Sequence, residues 1–214
     1  MAGLLFIVAA PSGAGKTTLV RRLLAAMPDI SFSISTTTRA PRAGEIDGHD
    51  YHFIGEADFQ ARIKAGDFLE WAKVHGNYYG TSRRWIEAER ARERDVLLEI
   101  DWQGAAQVRQ AFPDAIGIFV LPPSPEALAG RLSGRGTDSA ETIATRLAAA
   151  REETRHVVDF DYAIINDDLD TALADFIAIV KAARLMVARQ SQRHARLLAT
   201  LSLPLPSPLS SSSP

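Results

Sequence analysis

Apolar residues along this chain fall into short dense runs, separated by longer stretches in which they recur every three or four positions. That is the alternation of buried strands with amphipathic helices. Runs at 4–9, 32–34, 96–100, 116–121 and 162–165 are rich in Leu, Ile, Val and Phe. Strands covered on both faces read this way, so the five runs predict a parallel sheet. Helical spacing fills 17–27, closed by Pro28, 104–112, closed by Pro113, and 125–132, opened by Pro125. The layout predicts an α/β fold, a five-stranded doubly wound sheet flanked by helices.

Two intervals break the rhythm. Between 36 and 83, short aromatic strands at 51–53 and 68–74 flank a helical piece at 56–65, which predicts an inserted α+β subdomain. Between 133 and 146, Gly134, Arg135 and Gly136 precede Asp138, Ser139 and a helix running to about His156, the pattern of an arginine-bearing lid. The core is then 1–35 together with 84–200. One last helix is expected from about 169 to 198. The tail at 201–214 consists of Ser, Pro and Leu alone and is expected to be disordered, because it cannot bury a core.

Composition narrows the chemistry. The 214 residues hold no cysteine, which excludes disulfides, thiolate metal sites and cysteine nucleophiles and makes the cytoplasm the expected compartment. A formal charge of −2 provides no global field for nucleic acid or an anionic membrane, so neither is an expected partner. The run at 4–10 lacks a preceding Lys or Arg and is too short to span a bilayer, as is every other apolar stretch. Any anion site must therefore be local. The cations are four lysines and twenty arginines, the latter suited to forked hydrogen bonds with phosphate or carboxylate.

One such site follows the first strand. Ala10-Pro11-Ser12-Gly13-Ala14-Gly15-Lys16-Thr17 fits G-x-x-x-x-G-K-[ST] except that Ala replaces the first Gly, and the required strand and helix flank it. Gly13 and Gly15 let the backbone wrap an anion, so that successive N–H groups and the start of the next helix point at phosphate oxygens. In such a loop Lys16 reaches the β- and γ-phosphates of ATP, Thr17 holds Mg²⁺, and Thr18 continues the binding segment. Ala10 is tolerable if its φ is negative. The run at 96–100 delivers Glu99 and Asp101, on one face by alternation, to the same end of the sheet. Asp101 is the candidate for the Mg²⁺ water shell.

The insert is more specific. Thr37-Thr38-Arg39-Ala40-Pro41-Arg42-Ala43-Gly44-Glu45-Ile46-Asp47-Gly48-His49-Asp50-Tyr51-His52-Phe53 resembles the signature of guanylate kinases, T-[ST]-R-x-x-R-x-x-E-x-x-G-x-x-Y-x-F, at every fixed position. Glu70-Trp71, Gly76-Asn77-Tyr78-Tyr79-Gly80, Ile100-Asp101-Trp102-Gln103-Gly104, Gly134-Arg135-Gly136-Thr137 and Asn166-Asp167-Asp168-Leu169-Asp170 extend the likeness to residues 4–184. Chemistry agrees with it: two arginines three apart, flanked by hydroxyls, form a cradle for the dianion of a nucleoside monophosphate.

The resemblance implies a phosphate-loop nucleoside monophosphate kinase that moves a phosphoryl group from ATP to GMP, and to dGMP, with Mg²⁺. It implies that Arg39, Arg42, Tyr51 and Tyr79 hold the acceptor phosphate. Glu70 would read guanine N1–H and N2–H₂, with Ser35 and Thr81 on the O6 and N7 side, and the family often has Ser where Thr81 stands. Glu45 and Asp101 would bridge acceptor and metal. Lys16, Arg39, Asp101, Arg135 and Arg146, with Arg131 as a further lid arginine, would neutralise charge during transfer. His49 and His52 lack a third ligand pattern for a metal. Two other readings remain at this point. Inactive relatives bind phosphopeptides, usually with degraded phosphate loops, and other relatives phosphorylate acceptors such as ribose bisphosphate. The arginine-rich end of the last helix packs either on the core or on a second copy in a homo-oligomer.

Overall fold

The computed structural model describes residues 1–74, 76–133 and 140–201. The lid positions Gly134 to Ser139, with Arg135 among them, and the Ser/Pro/Leu tail lie outside the described residues. Element order is β1 (Leu5–Ala9), α1 (Lys16–Ala26), β2 (Ser31–Phe32), β3 (Thr36–Thr37), β4 (His52–Phe53), α2 (Glu56–Ala65), β5 (Phe68–Val74), β6 (Asn77–Ser82) and α3 (Arg83–Ala91). There follow β7 (Val96–Glu99), α4 (Trp102–Ala111), β8 (Ile116–Leu121), α5 (Pro125–Ser133), α6 (Ala140–Thr154), a 3₁₀ turn (Arg155–Asp159), β9 (Tyr162–Ile165), α7 (Leu169–Arg184), α8 (Val187–Arg193) and α9 (Ala195–Thr200).

Five strands form one sheet in the order β2-β7-β1-β8-β9, every pair parallel. Alternation along β1 builds two cores. Phe6 and Val8 face one side with Leu19, Leu23, Phe176 and Val180 from α1 and α7. Leu5 and Ile7 face the other with Ile86, Ala105 and Val108 from α3 and α4. Each such fully buried side chain contributes roughly 1.5–3 kcal/mol, and together they make the sheet a rigid base from which the strand ends project.

A second, four-stranded sheet, β4-β3-β6-β5, lies within the 36–83 interval. Its two long strands form an antiparallel hairpin, and Phe59 of α2 stacks on Phe68 and Tyr78 beneath it. Neither β6 nor α3 was legible in the chain's apolar pattern. β6 is a short run of Asn, Tyr, Gly, Thr and Ser whose pairing with β5 holds it extended. α3 is mostly charged, but the Ser82 hydroxyl caps Trp85 N–H, and Arg90 is buried against Asp114 (2.6 Å) and the Gly3 carbonyl (2.9 Å).

The single final helix expected from 169 to 198 is three helices. α7 stops at Arg184, whose guanidinium is drawn to Asp95 and Asp29, both at 2.7 Å. Gln190 Nε2 donates to the Arg184 carbonyl at 2.9 Å, taking an acceptor that a continuing helix would use, and Met186 leaves the helical region at φ −54°, ψ 137°. Arg189 then returns α8 to the core by donating to the Ala2 carbonyl. Among the described residues no helix is long and apolar enough to cross a membrane.

Candidate active site

β1 and β7 end side by side, and the chain leaving β1 turns through 10–15 into α1. Gly13 and Gly15 both stand at φ 91°, a conformation costly for any residue with a Cβ. Space adds to that requirement at Gly15, where a Cβ would lie 2.4 Å from Asn166 Nδ2. Ala10 is not among the residues with positive φ, which explains why the missing glycine costs nothing there. Ala14 is fixed from below: its carbonyl accepts from Asn166 Nδ2 (2.7 Å) and Arg131 Nη1 (3.2 Å). Arg131 Nη2 also donates to the Asn166 carbonyl at 2.8 Å. Arg131 is therefore spent on the loop's underside rather than offered as a lid arginine.

Above the loop the charged groups meet. Lys16 Nζ donates to the Ile100 carbonyl at 2.9 Å, and the Thr17 hydroxyl donates to Glu99 Oε1 at 2.5 Å. Asp101 caps α4 by accepting Gly104 N–H at 2.7 Å. Of the two acids at this strand end, Glu99 is the one bonded to Thr17. Arg146 of α6 reaches the Ser12 hydroxyl at 3.3 Å.

Opposite the loop, the insert places Glu70 across from Thr81 in the β5–β6 register. Glu70 is 4% exposed and Thr81 is fully buried. Burial pushes the Glu70 carboxyl up to about 7 from its ordinary 4.5; the nearby Thr81 hydroxyl and Lys16 pull it down, and Asp101 adds to the rise. The Thr81 hydroxyl lies beside this carboxylate without the geometry of a full hydrogen bond to any described residue. The first turn of α4 presses directly on the acid: a Cβ on Gly104 would fall 2.5 Å from Glu70 Oε2, so only glycine admits this approach. Gln107 locks the two elements by exchanging hydrogen bonds with the Trp71 backbone (3.2 and 2.9 Å).

A cavity of about 150 Å³ lies between these parts, lined by Lys16, Ser35, Tyr51, Glu70, Tyr79 and Asp101. Around Tyr51 it adjoins a wider one of about 650 Å³, to which Thr17, Thr18, Arg42, Glu45 and Glu99 contribute. At their margin Arg39 and Glu45 form a two-point pair, 2.9 and 2.8 Å, and Glu45 also accepts the Arg42 N–H at 2.7 Å. The hydrogen bonds from Arg39 hold the Glu45 carboxyl below its usual range. The Arg39 guanidinium lies 5.3 Å from the Tyr51 ring centre, and Tyr51 meets Tyr79 edge-on. Arg21 of α1 bonds Asp50 of the insert at 3.1 Å, a second tie across the cleft.

Cavity size alone does not pick out this cleft. A depression of about 620 Å³ at the opposite end of the sheet is lined by Asp29, Asp95, Arg184 and Arg189, whose charges pair with one another. The cleft differs in holding a buried acid, a buried hydroxyl and a glycine-rich loop together. Of the residues singled out in the sequence, Lys16, Thr17, Thr18, Ser35, Arg42, Glu45, Tyr51, Glu70, Tyr79, Asp101 and Arg146 line these cavities or touch the loop, Arg39 is held next to them by Glu45, and Thr81 lies buried opposite Glu70. Asn166 and Glu153, which also touch the loop, carried no role in that reading, although Asn166 opens one of the segments that carry the resemblance.

The family model described as guanylate kinase matches residues 3–183. Guanylate kinase of Aromatoleum aromaticum is 58% identical over 194 residues, covering 91% of this chain and 95% of its own length. That of Dechloromonas aromatica is 60% identical over 197 residues, 92% and 98% of the two chains. The crystal structure of guanylate kinase from Anaplasma phagocytophilum superimposes with a TM-score of 0.77 at 30% identity, covering 95% of this chain and 97% of that one.

Proposed function

The chain belongs to the guanylate kinase family, and on that premise we propose that it transfers the terminal phosphoryl group of ATP to GMP, and to dGMP, through the cleft between the phosphate loop and the insert. The products are ADP and GDP or dGDP. The observation that carries this reading is the buried Glu70 carboxylate, with the buried Thr81 hydroxyl beside it, lining a cavity that Lys16 also lines. Guanine brings two donors to such a carboxylate, N1–H and N2–H₂. Adenine brings an acceptor at N1 and would leave the acid buried without partners, a loss of several kcal/mol in principle.

The acceptor's phosphate is assigned to Arg39, Arg42, Tyr51 and Tyr79, with Ser35 and Thr81 on the O6 and N7 edge of the base. The dianion then competes with Glu45 for Arg39, so acceptor binding loosens a pair that otherwise neutralises the site. ATP is assigned to the loop from Ala10 to Thr18. Phosphoryl transfer needs no covalent enzyme intermediate, and positioning with charge neutralisation does most of the work. Lys16 turns from the Ile100 carbonyl to the phosphates, and Arg146, with Arg135, covers them.

The oxygen donors at this strand end suit a hard divalent cation: the Thr17 hydroxyl already bonds the Glu99 carboxylate, and Asp101 lines the smaller cavity with Glu99. Thr17, Glu99 and Asp101 are the residues that would hold Mg²⁺. When bound, it neutralises charge on the β- and γ-phosphates. The cytoplasm, where ATP and GMP are available, is the setting proposed.

The test is ADP production by the purified chain with ATP and Mg²⁺, offering GMP, dGMP, AMP, CMP, UMP and ribose bisphosphate separately. Turnover with GMP and dGMP alone is expected. Turnover with none, alongside binding of GMP or a phosphopeptide, would replace the proposal with a binding module.

A further inference from the structure

The amide donors of the phosphate loop are divided between the protein and its ligand. Ala14 N–H is bonded to the Pro11 carbonyl at 3.1 Å, and Ser12 N–H donates to Glu153 Oε2 at 3.0 Å. The N–H groups of Gly13, Gly15, Lys16 and Thr17 meet no acceptor among the described residues. The loop therefore keeps the Gly13 N–H and the run from Gly15 to Thr17 for an anion, and Glu153 is the residue that takes Ser12 out of that set.

Glu153 is well placed to do so. Arg146 lies seven residues earlier on α6, two turns along the same face, and donates to the Ser12 hydroxyl. One helix face thus grips Ser12 by both its amide and its side chain. The foot of the helix is itself anchored. His156 lies flat on Trp102, with ring centres 3.6 Å apart and planes 7° from parallel, and its Nδ1 is 3.2 Å from Asp159. Trp102 opens α4 immediately after Asp101, so the footing of α6 is fixed to the wall of the acceptor cavity.

A carboxylate at this position repels an incoming triphosphate, and its charge alone would weaken ATP binding. What it contributes is the acceptor oxygen. We propose that Glu153 is a positioning residue for the donor site, holding Ser12 N–H so that the N–H groups of Gly13, Gly15, Lys16 and Thr17 stay aimed at the phosphates of ATP. The proposal rests on the reading that this loop binds ATP. Charge is dispensable in this role and the acceptor is not, which separates Glu153→Gln from Glu153→Ala.

The experiment is steady-state kinetics of the full chain and both variants, varying ATP at saturating GMP and GMP at saturating ATP, with thermal melts of the three proteins. Glu153→Ala is expected to raise KM for ATP on the order of tenfold, the loss of one charge-assisted hydrogen bond, while KM for GMP and Tm hold. Glu153→Gln, which keeps an acceptor oxygen, is expected to return KM for ATP to within about threefold of the unaltered chain. An unchanged KM for ATP in Glu153→Ala would overturn the proposal. So would an equal rise in both KM values with a lowered Tm, or a Gln variant as impaired as the Ala one. Failure of the functional reading is distinct, because the unaltered chain would then make no ADP with GMP.

Discussion

Glu70 and Thr81 stand opposite each other across the β5–β6 pair, both buried, the acid ionising only near neutrality and the hydroxyl lacking a full hydrogen bond to any described residue. A protein built only for stability would have filled these positions with apolar side chains. The pair is costly until guanine arrives, and that cost has measurable consequences.

The first is thermodynamic. Glu70 ionises at about 7 in the folded chain and near 4.5 when unfolded, so the folded state binds the extra proton between these values. The contribution of Glu70 to stability is fully present below pH 4.5, falls as pH rises through that window, and is lost above 7. The penalty is on the order of 3 kcal/mol. Glu70→Gln should therefore melt higher than the unaltered chain at pH 8, with the gap closing toward pH 5. Melting curves across pH check this, and a gap that widens toward acid would contradict it.

The same group sets acceptor binding. Guanine's donors favour the ionised carboxylate, so KM for GMP should rise as pH falls below about 7, approaching tenfold per pH unit. The GMP phosphate titrates near pH 6 as well, and Glu70→Gln isolates the two effects because it retains only the phosphate's contribution. Profiles of KM against pH for both proteins would show the steeper slope in the unaltered chain alone.

Arg39 grips Glu45 at two points, a geometry that only a guanidinium provides. Arg39→Lys should raise KM for GMP about tenfold or more while leaving KM for ATP within about twofold. Parallel titrations of the two substrates would show this asymmetry, and equal losses would place Arg39 outside the acceptor site.

In the phosphate loop, Gly15→Ala must overcome both a φ of 91° and a clash with Asn166. It is expected to abolish detectable ATP turnover. Ala10→Gly should leave kcat and KM within about twofold, since the native φ there is not in the left-handed region and glycine adds only backbone entropy. A large gain in activity from Ala10→Gly would show that the alanine does strain the loop.

Much of this was legible before any coordinates. The central strands β1, β7 and β8 announce themselves because they are covered on both faces and read as unbroken apolar runs, the edge strand β9 reads as apolar although it exposes Tyr162 and Ile165, and the loop at 10–17 combines two glycines with Lys16 and Thr17 between strand and helix. β6 escaped notice because its partners, rather than its composition, hold it extended. α3 escaped because Arg90 and Glu89 are buried through ion pairs, which a hydrophobic pattern cannot register. The break after Arg184 goes with contacts to residues about ninety or more positions away, Asp95 and Ala2. In the site, the acids of β7 were visible as a pair, but only geometry separates Glu99, bonded to Thr17, from Asp101, which caps α4. Nothing local in the sequence reveals the stack of His156 on Trp102.

The central claim is that Glu70 selects guanine. Steady-state kinetics of Glu70→Gln with GMP and ATP varied in turn test it most directly. The account predicts a KM for GMP raised about a hundredfold or more, the loss of a buried charge-assisted contact, with KM for ATP unchanged. Unaltered GMP kinetics in a folded Glu70→Gln protein would contradict it.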